Sequence, residues 1–160
     1  INSSGITDAK ILDGQAALES SLNLFNAFLC GASIVQDVGS INGGSTASLE
    51  SIIMCDEIIG MIKKIGCGLN TDDEHMALGL IHKVGPGGEF VSEDHTFEHW
   101  REWFMPKLLS RADFQTWKIE GKKTMDDKVI EEKEHILKSH NPVPLDENVE
   151  KELREIAESY

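Results

Sequence analysis

Ser33–Val38 (SIVQDV) is a short, apolar-rich run set between two helical stretches, and this alternation restricts the architectures open to the chain. Upstream, Asp13 and Gly14 open a helical pattern in which Leu18, Leu22, Phe25 and Leu29 recur at i, i+4, i+7 and i+11. That spacing predicts one apolar stripe of a helix, with Gly31 as its terminating glycine. The run itself is long enough for a buried parallel strand and too short for another helix. After Gly39 come nine mostly small residues, Ser40–Ser48 (SINGGSTAS), and then a helix expected over about Ser48–Gly66. Its apolar residues fall on two sides, Leu49, Ile52, Ile59 and Ile62 on one and Met54, Ile58, Met61 and Ile65 on the other. A helix apolar on two faces packs between layers. Its charges, Asp56, Glu57, Lys63 and Lys64, are left for the remaining surface. Helix, strand, small-residue loop and helix make the rhythm of an α/β protein. One clear strand is too few for a sheet, so either further strands precede Ile1 or the chain is essentially all-α by itself.

Downstream the pattern is helical. Thr71 and Glu74 have capping-box spacing and predict a helix to about Val84, ended by Gly85 and Pro86. Asp94 is expected to cap an aromatic helix reaching Met105 before Pro106, with Phe97, Trp100 and Phe104 inward. Ser110 and Asp113 start another helix. Gly121–His140 is dense in Lys, Asp and Glu and reads as a solvated helical face. Asn141–Pro144 is a linker to a last helix, Asp146–Tyr160, with a thin seam of Leu153, Ile156 and Tyr160. The chain divides into 1–66 (βα elements), 67–120 (helices packed on them) and 121–160 (a charged helical tail).

A formal charge of −13 argues against a nucleic-acid partner, because a phosphate backbone requires a Lys/Arg surface. The same acidity serves either solubility or the steering of a protein partner. No run approaches the roughly 18 apolar residues of a membrane span, and no secretory leader opens the chain. Cys30, Cys55 and Cys67 are odd in number and widely spaced, with no CxxC, which fits free thiols in a reducing cytoplasm. An abrupt start at Ile1 in small polar residues suits a cut through a larger fold.

Two blocks carry a more specific signal: Ser40–Ile65 (SINGGSTASLESIIMCDEIIGMIKKI) and Gly85–Leu108 (GPGGEFVSEDHTFEHWREWFMPKL). Together they resemble the C-terminal part of the trimethylamine methyltransferase family, over most of residues 2–118. The resemblance implies the last part of a (β/α)8 TIM barrel followed by extra C-terminal helices. Ser33–Val38 then becomes a late barrel strand and Gly39–Ala47 the loop at its C-terminal end, where active sites of such barrels lie. It also implies transfer of a methyl group from trimethylamine to the Co(I) corrinoid of a cognate corrinoid protein. This chain would bind no cofactor directly, the partner supplying the corrinoid. The full protein would be a cytoplasmic homo-oligomer serving methylamine-dependent methanogenesis or anaerobic metabolism. In one branch of the family the special residue, pyrrolysine, precedes this block, so the catalytic group is expected upstream of Ile1. A second branch lacks it and acts on glycine betaine or related quaternary amines. Glu89 departs from the histidine or neutral residue of many relatives, and the tail beyond Lys118 matches weakly. A non-catalytic, acidic helical interaction module is the reading from another class.

The candidate substrate- or corrinoid-facing residues are Asp8, Asp37, Gly39, Gly43 and Gly44. The three glycines fit neither GxGxxG nor a P-loop, and offer space for a bulky group or simply a tight strand-to-helix turn. Asp8 and Asp37 could steady a cationic amine or serve as hydrogen-bonded chain-end carboxylates. His95 and His99 stand one helical turn apart, but two imidazoles are too few for a zinc site and no third ligand is evident, so no metal is expected there. Trp100, Trp103, Phe104 and Trp117 could cage a methylammonium group, although aromatics at such spacing more often form core. No nucleophile–base–orienter set can be assembled from these residues.

Overall fold

A computed structural model describes residues 1–159, so Tyr160, the end of the expected seam, lies outside the described residues. The chain is helix-rich. Its elements are α1 (Gly14–Leu29), β1 (Ser40–Ile41), β2 (Thr46–Ala47), α2 (Leu49–Gly66), α3 (Asp73–Met76), α4 (Leu78–Val84), α5 (Asp94–His99), α6 (Phe114–Ile119), α7 (Met125–Ser139) and α8 (Glu147–Glu158). β1 and β2 form one small antiparallel hairpin.

The core lies where α1 crosses α2. Asp13 caps α1 by accepting from the N–H groups of Gln15 and Ala16, and Ser48 caps α2 through Ser51 N–H. The face α1 buries is Ala16, Ser20, Leu24 and Ala27, set against Ser51, Met54, Cys55 and Ile62 of α2. Small residues let the two backbones approach closely. The stripe expected from periodicity is only partly covered: Phe25 packs against the core, whereas Leu18, Leu22 and Leu29 are 61%, 61% and 66% exposed. They sit about 200° around the helix from the small-residue face, at 100° per residue, so α1 carries a second apolar face turned away from α2.

Ser33–Val38 corrects a second expectation. It pairs in parallel, but through isolated bridges and not as a buried continuous strand. Asn2 bridges Val35 and Ile6 bridges Ser40, with Gly5 N–H donating to the Gln36 carbonyl at 3.1 Å. The pairing partner is the chain's own Asn2–Thr7. Val35 and Val38 pack on the core while Ile34 is 57% exposed. Asp37, in the left-handed region at φ 64°, interrupts the extended run. Gly5 has no room for a side chain, since a Cβ there would lie 2.2 Å from the Val38 nitrogen.

Farther along, several boundaries differ from expectation. Asp72, not Thr71, caps α3, and Ala77 at φ 46° separates α3 from α4. The aromatic helix is shorter than expected. α5 starts at Asp94 itself without a side-chain cap, passes into a 3₁₀ turn over Trp100–Glu102, and ends where Trp103 is extended. Phe97 and Trp100 point outward, 76% and 47% exposed, against the expected inward packing, while His95 and His99 are half-buried. So short a helix is oriented by its contacts with α3, which the histidines make. Phe104 does pack inward, on Gly60. Asp113 caps α6, so that helix begins later than Ser110.

Glu57 was assigned to the polar surface of α2 and is buried. Its carboxylate accepts the backbone N–H groups of Lys107, Leu108 and Leu109 at 3.2, 2.9 and 3.3 Å. The turn after Pro106 thus presents three successive donors, and Glu57 pins it to α2.

The charged segment is also anchored. Thr124 and Asp127 close a capping box at the start of α7, and Val129 is fully buried. Lys133 reaches Glu50 on α2 at 2.8 Å. The Lys133 ammonium, with help from the α2 N-terminal backbone and Ser48, holds the Glu50 carboxyl down to about 2, from an ordinary 4.5. A depressed carboxylate stabilises the fold fully above its unfolded value, and loses that contribution as pH falls from about 4.5 toward about 2. Protection factors in α7, taken relative to the intrinsic exchange rate at each pH, should therefore fall over that interval. Lys133→Met should raise exchange at neutral pH and remove the part of the acid response due to Glu50; an unchanged acid response would contradict the assignment.

Candidate functional site

The Gly39–Ala47 loop is fastened onto the segment Thr7–Ala9. Asn42 N–H donates to the Ala9 carbonyl at 2.8 Å, Gly43 N–H to the Thr7 carbonyl at 3.1 Å, and Thr7 N–H to the Ser40 carbonyl at 3.0 Å. Beneath them Glu19 of α1 acts as a clamp. Its carboxylate accepts the Thr7 hydroxyl at 2.6 Å and Asp8 N–H at 2.8 Å, and these bonds, with Gln15 and then Lys10 nearby, hold it below the usual carboxylate range. Glu19 was not singled out from sequence; a carboxylate within an otherwise apolar, small-residue helix was the available signal.

The fold brings some of the candidate residues together and separates others. Asp8 and Gly43 are neighbours, since a Cβ on Gly43 would lie 3.4 Å from Asp8 Oδ1. Gly44 sits over Ile6, and both glycines are exposed with φ of 62° and 86°. Asp8, Gly43 and Gly44 therefore form one shelf with little side-chain cover. Gly39 lies beneath this shelf. It is buried, and a Cβ would meet Ile52 at 2.2 Å, so its glycine is needed for packing. Asp37 is exposed in the preceding turn, where its carbonyl accepts Ser40 N–H, and its carboxylate makes no hydrogen bond among the described residues.

The cysteines offer no nucleophile to this shelf. Cys55 is buried between α1 and α2, and desolvation pushes its thiol up. Cys30 and Cys67 are exposed free thiols. Among the described residues no helix is long and apolar enough to cross a membrane.

A second cluster lies at the far end of α2. His75 joins His95 and His99, its ring centroid 4.7 Å from that of His99, which is in turn 4.3 Å from His95. The Asp72 carboxylate, 2.7 Å from His75 Nδ1, raises the His75 imidazole above its ordinary value and is itself lowered, with its backbone bond to His75 contributing most. His99 likewise lowers Glu102 across 2.6 Å. Sequence spacing revealed the pair His95–His99 and missed His75, which the chain brings in on α3.

Comparison with known proteins gives a consistent result. The family model described as trimethylamine methyltransferase (MTTB) matches residues 1–159, so the match continues through the tail beyond Lys118. The chain is 36% identical to trimethylamine methyltransferase MttB of Desulfitobacterium hafniense (strain DSM 10664 / DCB-2), over 96% of this chain and 31% of that protein. It is 35% identical to a glycine betaine methyltransferase of Desulfitobacterium hafniense (strain Y51), over 94% of this chain and 32% of the relative. For trimethylamine methyltransferase MttB of Methanosarcina barkeri the identity is 30%, over 95% and 31%. The chain thus spans about a third of the length of these curated relatives.

Proposed function

The chain belongs to the trimethylamine methyltransferase family, and from that premise we propose that it is the C-terminal part of an enzyme that takes a methyl group from trimethylamine and delivers it to the Co(I) corrinoid of a partner protein. The observation carrying this reading is the family match over residues 1–159. Parallel bridges on either side of α1 support a barrel setting, in which Asn2–Thr7 and Ile34–Ser40 are neighbouring strands completed by the rest of the protein. The shelf of Asp8, Gly43 and Gly44 then lies at the C-terminal ends of these strands, the end at which such barrels act.

The corrinoid supplies the methyl acceptor, and the shelf suits so broad a group. Its glycines present backbone without side chains, and α1, through Glu19, holds Asp8 N–H in place. The Asp8 carboxylate would steady the positive nitrogen of the amine. Methyl departure from a protonated or quaternary amine leaves a neutral amine, so the carboxylate acts by positioning and needs no covalent bond to substrate. Activation at the nitrogen is assigned to residues elsewhere in the longer protein. Glycine betaine is the second reading, favoured by the 35% identity to a methyltransferase of that name.

Asp8→Asn in the protein as encoded should raise KM for the amine roughly tenfold, the effect of losing about 1.4 kcal/mol of charge attraction, with a smaller change in kcat. Unchanged KM would remove Asp8 from the site. Comparing trimethylamine with glycine betaine in the same assay decides the substrate.

A further inference from the structure

Between Ile62 and Leu108 no described residue is buried, yet this stretch folds α3, α4 and α5 together. α3 has four residues and α5 six, far too few to persist by their own hydrogen bonds. What converges there is a set of metal-ligand side chains lining a cleft of about 390 Å³. His75, His99 and Glu102 each place a ligand atom within 4.8 Å of the others.

We propose that His75, His99 and Glu102 bind one divalent transition-metal ion of the zinc class, which staples α3 to α5 and the turn that follows. Ligands about 2.0–2.2 Å from a tetrahedral zinc stand roughly 3.3–3.6 Å from one another. His75 Nε2 and Glu102 Oε2 are 3.4 Å apart. His99 Nδ1 stands 2.6 Å from the other carboxylate oxygen, Oε1, and needs to open by about 1 Å, with Glu102 either bidentate or turned to offer one oxygen to the ion. His75 has an outer carboxylate in the place that orients a metal-bound histidine, and His99 has one just beyond hydrogen-bond distance. Asp72 Oδ1 lies 2.7 Å from His75 Nδ1, leaving Nε2, which faces Glu102 and stands 3.3 Å from Asn70 Nδ2, as the nitrogen that would take the metal in place of the Asn70 amide. Glu74 Oε1 lies 3.7 Å from His99 Nε2, a buried nitrogen with no hydrogen-bond partner among the described residues.

Charge points the same way. Asp72, Glu74 and Glu102 make no ion pair with a lysine or arginine among the described residues; their ionic partners are the histidines alone. A dication supplies the missing positive charge. The expectation of no metal rested on the pair His95–His99 lacking a third ligand. His95 stays outside the proposed site, since its Nε2 lies 2.9 Å from the Glu74 carbonyl. The site is structural and not part of methyl transfer. It lies at the C-terminal end of α2, whose 18 residues span about 27 Å from the end nearest the shelf.

Elemental analysis of the protein as encoded, purified without chelators, should find one zinc per chain. After chelator stripping, cobalt(II) should bind at one equivalent and give the visible bands of a four-coordinate site. Glu102→Gln, close in shape to the parent, and His75→Ala should lose the ion, Asp72→Asn should bind it about 10–100-fold more weakly, and His95→Ala should retain it. The proposal is overturned if the folded parent takes up neither zinc nor cobalt. It is equally overturned if stoichiometric metal survives in a folded Glu102→Gln variant.

Discussion

Glu57→Ala should cost the protein about 3 kcal/mol or more of stability, the largest loss expected from a single side chain here. Glu57 is 8% exposed, and its carboxylate is the acceptor for three consecutive N–H groups, those of Lys107, Leu108 and Leu109. Hydrogen bonds to a charged acceptor contribute about 1.5–3 kcal/mol each, and a buried donor left without one costs about 1–3 kcal/mol. Some of that is recovered where Lys107 N–H reaches water. Leu108 is itself buried, so the turn cannot swing out to solvate its amides without exposing an apolar side chain. Glu57→Gln keeps a carbonyl oxygen in place and should lose about 1–2 kcal/mol, the share belonging to the charge. Urea unfolding of the protein as encoded, monitored by the tryptophans, measures both. Alanine and glutamine variants within about 0.5 kcal/mol of the parent would show that the turn is held by something other than Glu57.

Much of the local structure was legible in the sequence because it is written in local chemistry. Ser48 at the start of α2 and Gly85 after α4 are recognisable from residue type alone. Periodicity placed α1 and the core-packed Phe25, but not the small-residue face that meets α2. A helix with leucines on one side and Ala16, Ser20 and Ala27 on the other can pack either way. Close backbone approach to Ser51 and Cys55 decided it, and that is a property of two helices together. Glu57 was illegible for a similar reason: its donors lie about 50 residues downstream, so only the fold reveals why a carboxylate is buried. His75 joins His99 from 24 residues upstream, across a break at Ala77 that no helical spacing anticipates. Of the candidate shelf, Asp8 and Gly43 were named from their positions in loops, and the fold made them neighbours. Gly39 was read as possible space for a ligand, whereas its missing side chain makes room for Ile52.

The second large effect is all-or-none. The 160 residues alone should show no methyl transfer, whereas the protein as encoded should turn over. On the proposed reading the shelf needs neighbouring strands to enclose it; here the parallel pairing is two isolated bridges, and Leu18, Leu22 and Leu29 of α1 are open to solvent. Positioning contributes only when the amine and its acceptor are both enclosed, and misplacement by about 1 Å can cost about 100-fold in rate. The decisive measurement mixes the protein as encoded with trimethylamine and a reduced corrinoid protein, and follows the cobalt absorbance while dimethylamine is quantified. We expect loss of the Co(I) spectrum with stoichiometric dimethylamine in that mixture, and neither change with the 160-residue chain. Turnover by the isolated chain, or an unchanged cobalt spectrum with the encoded protein supplied with trimethylamine and with glycine betaine in turn, would contradict the assignment.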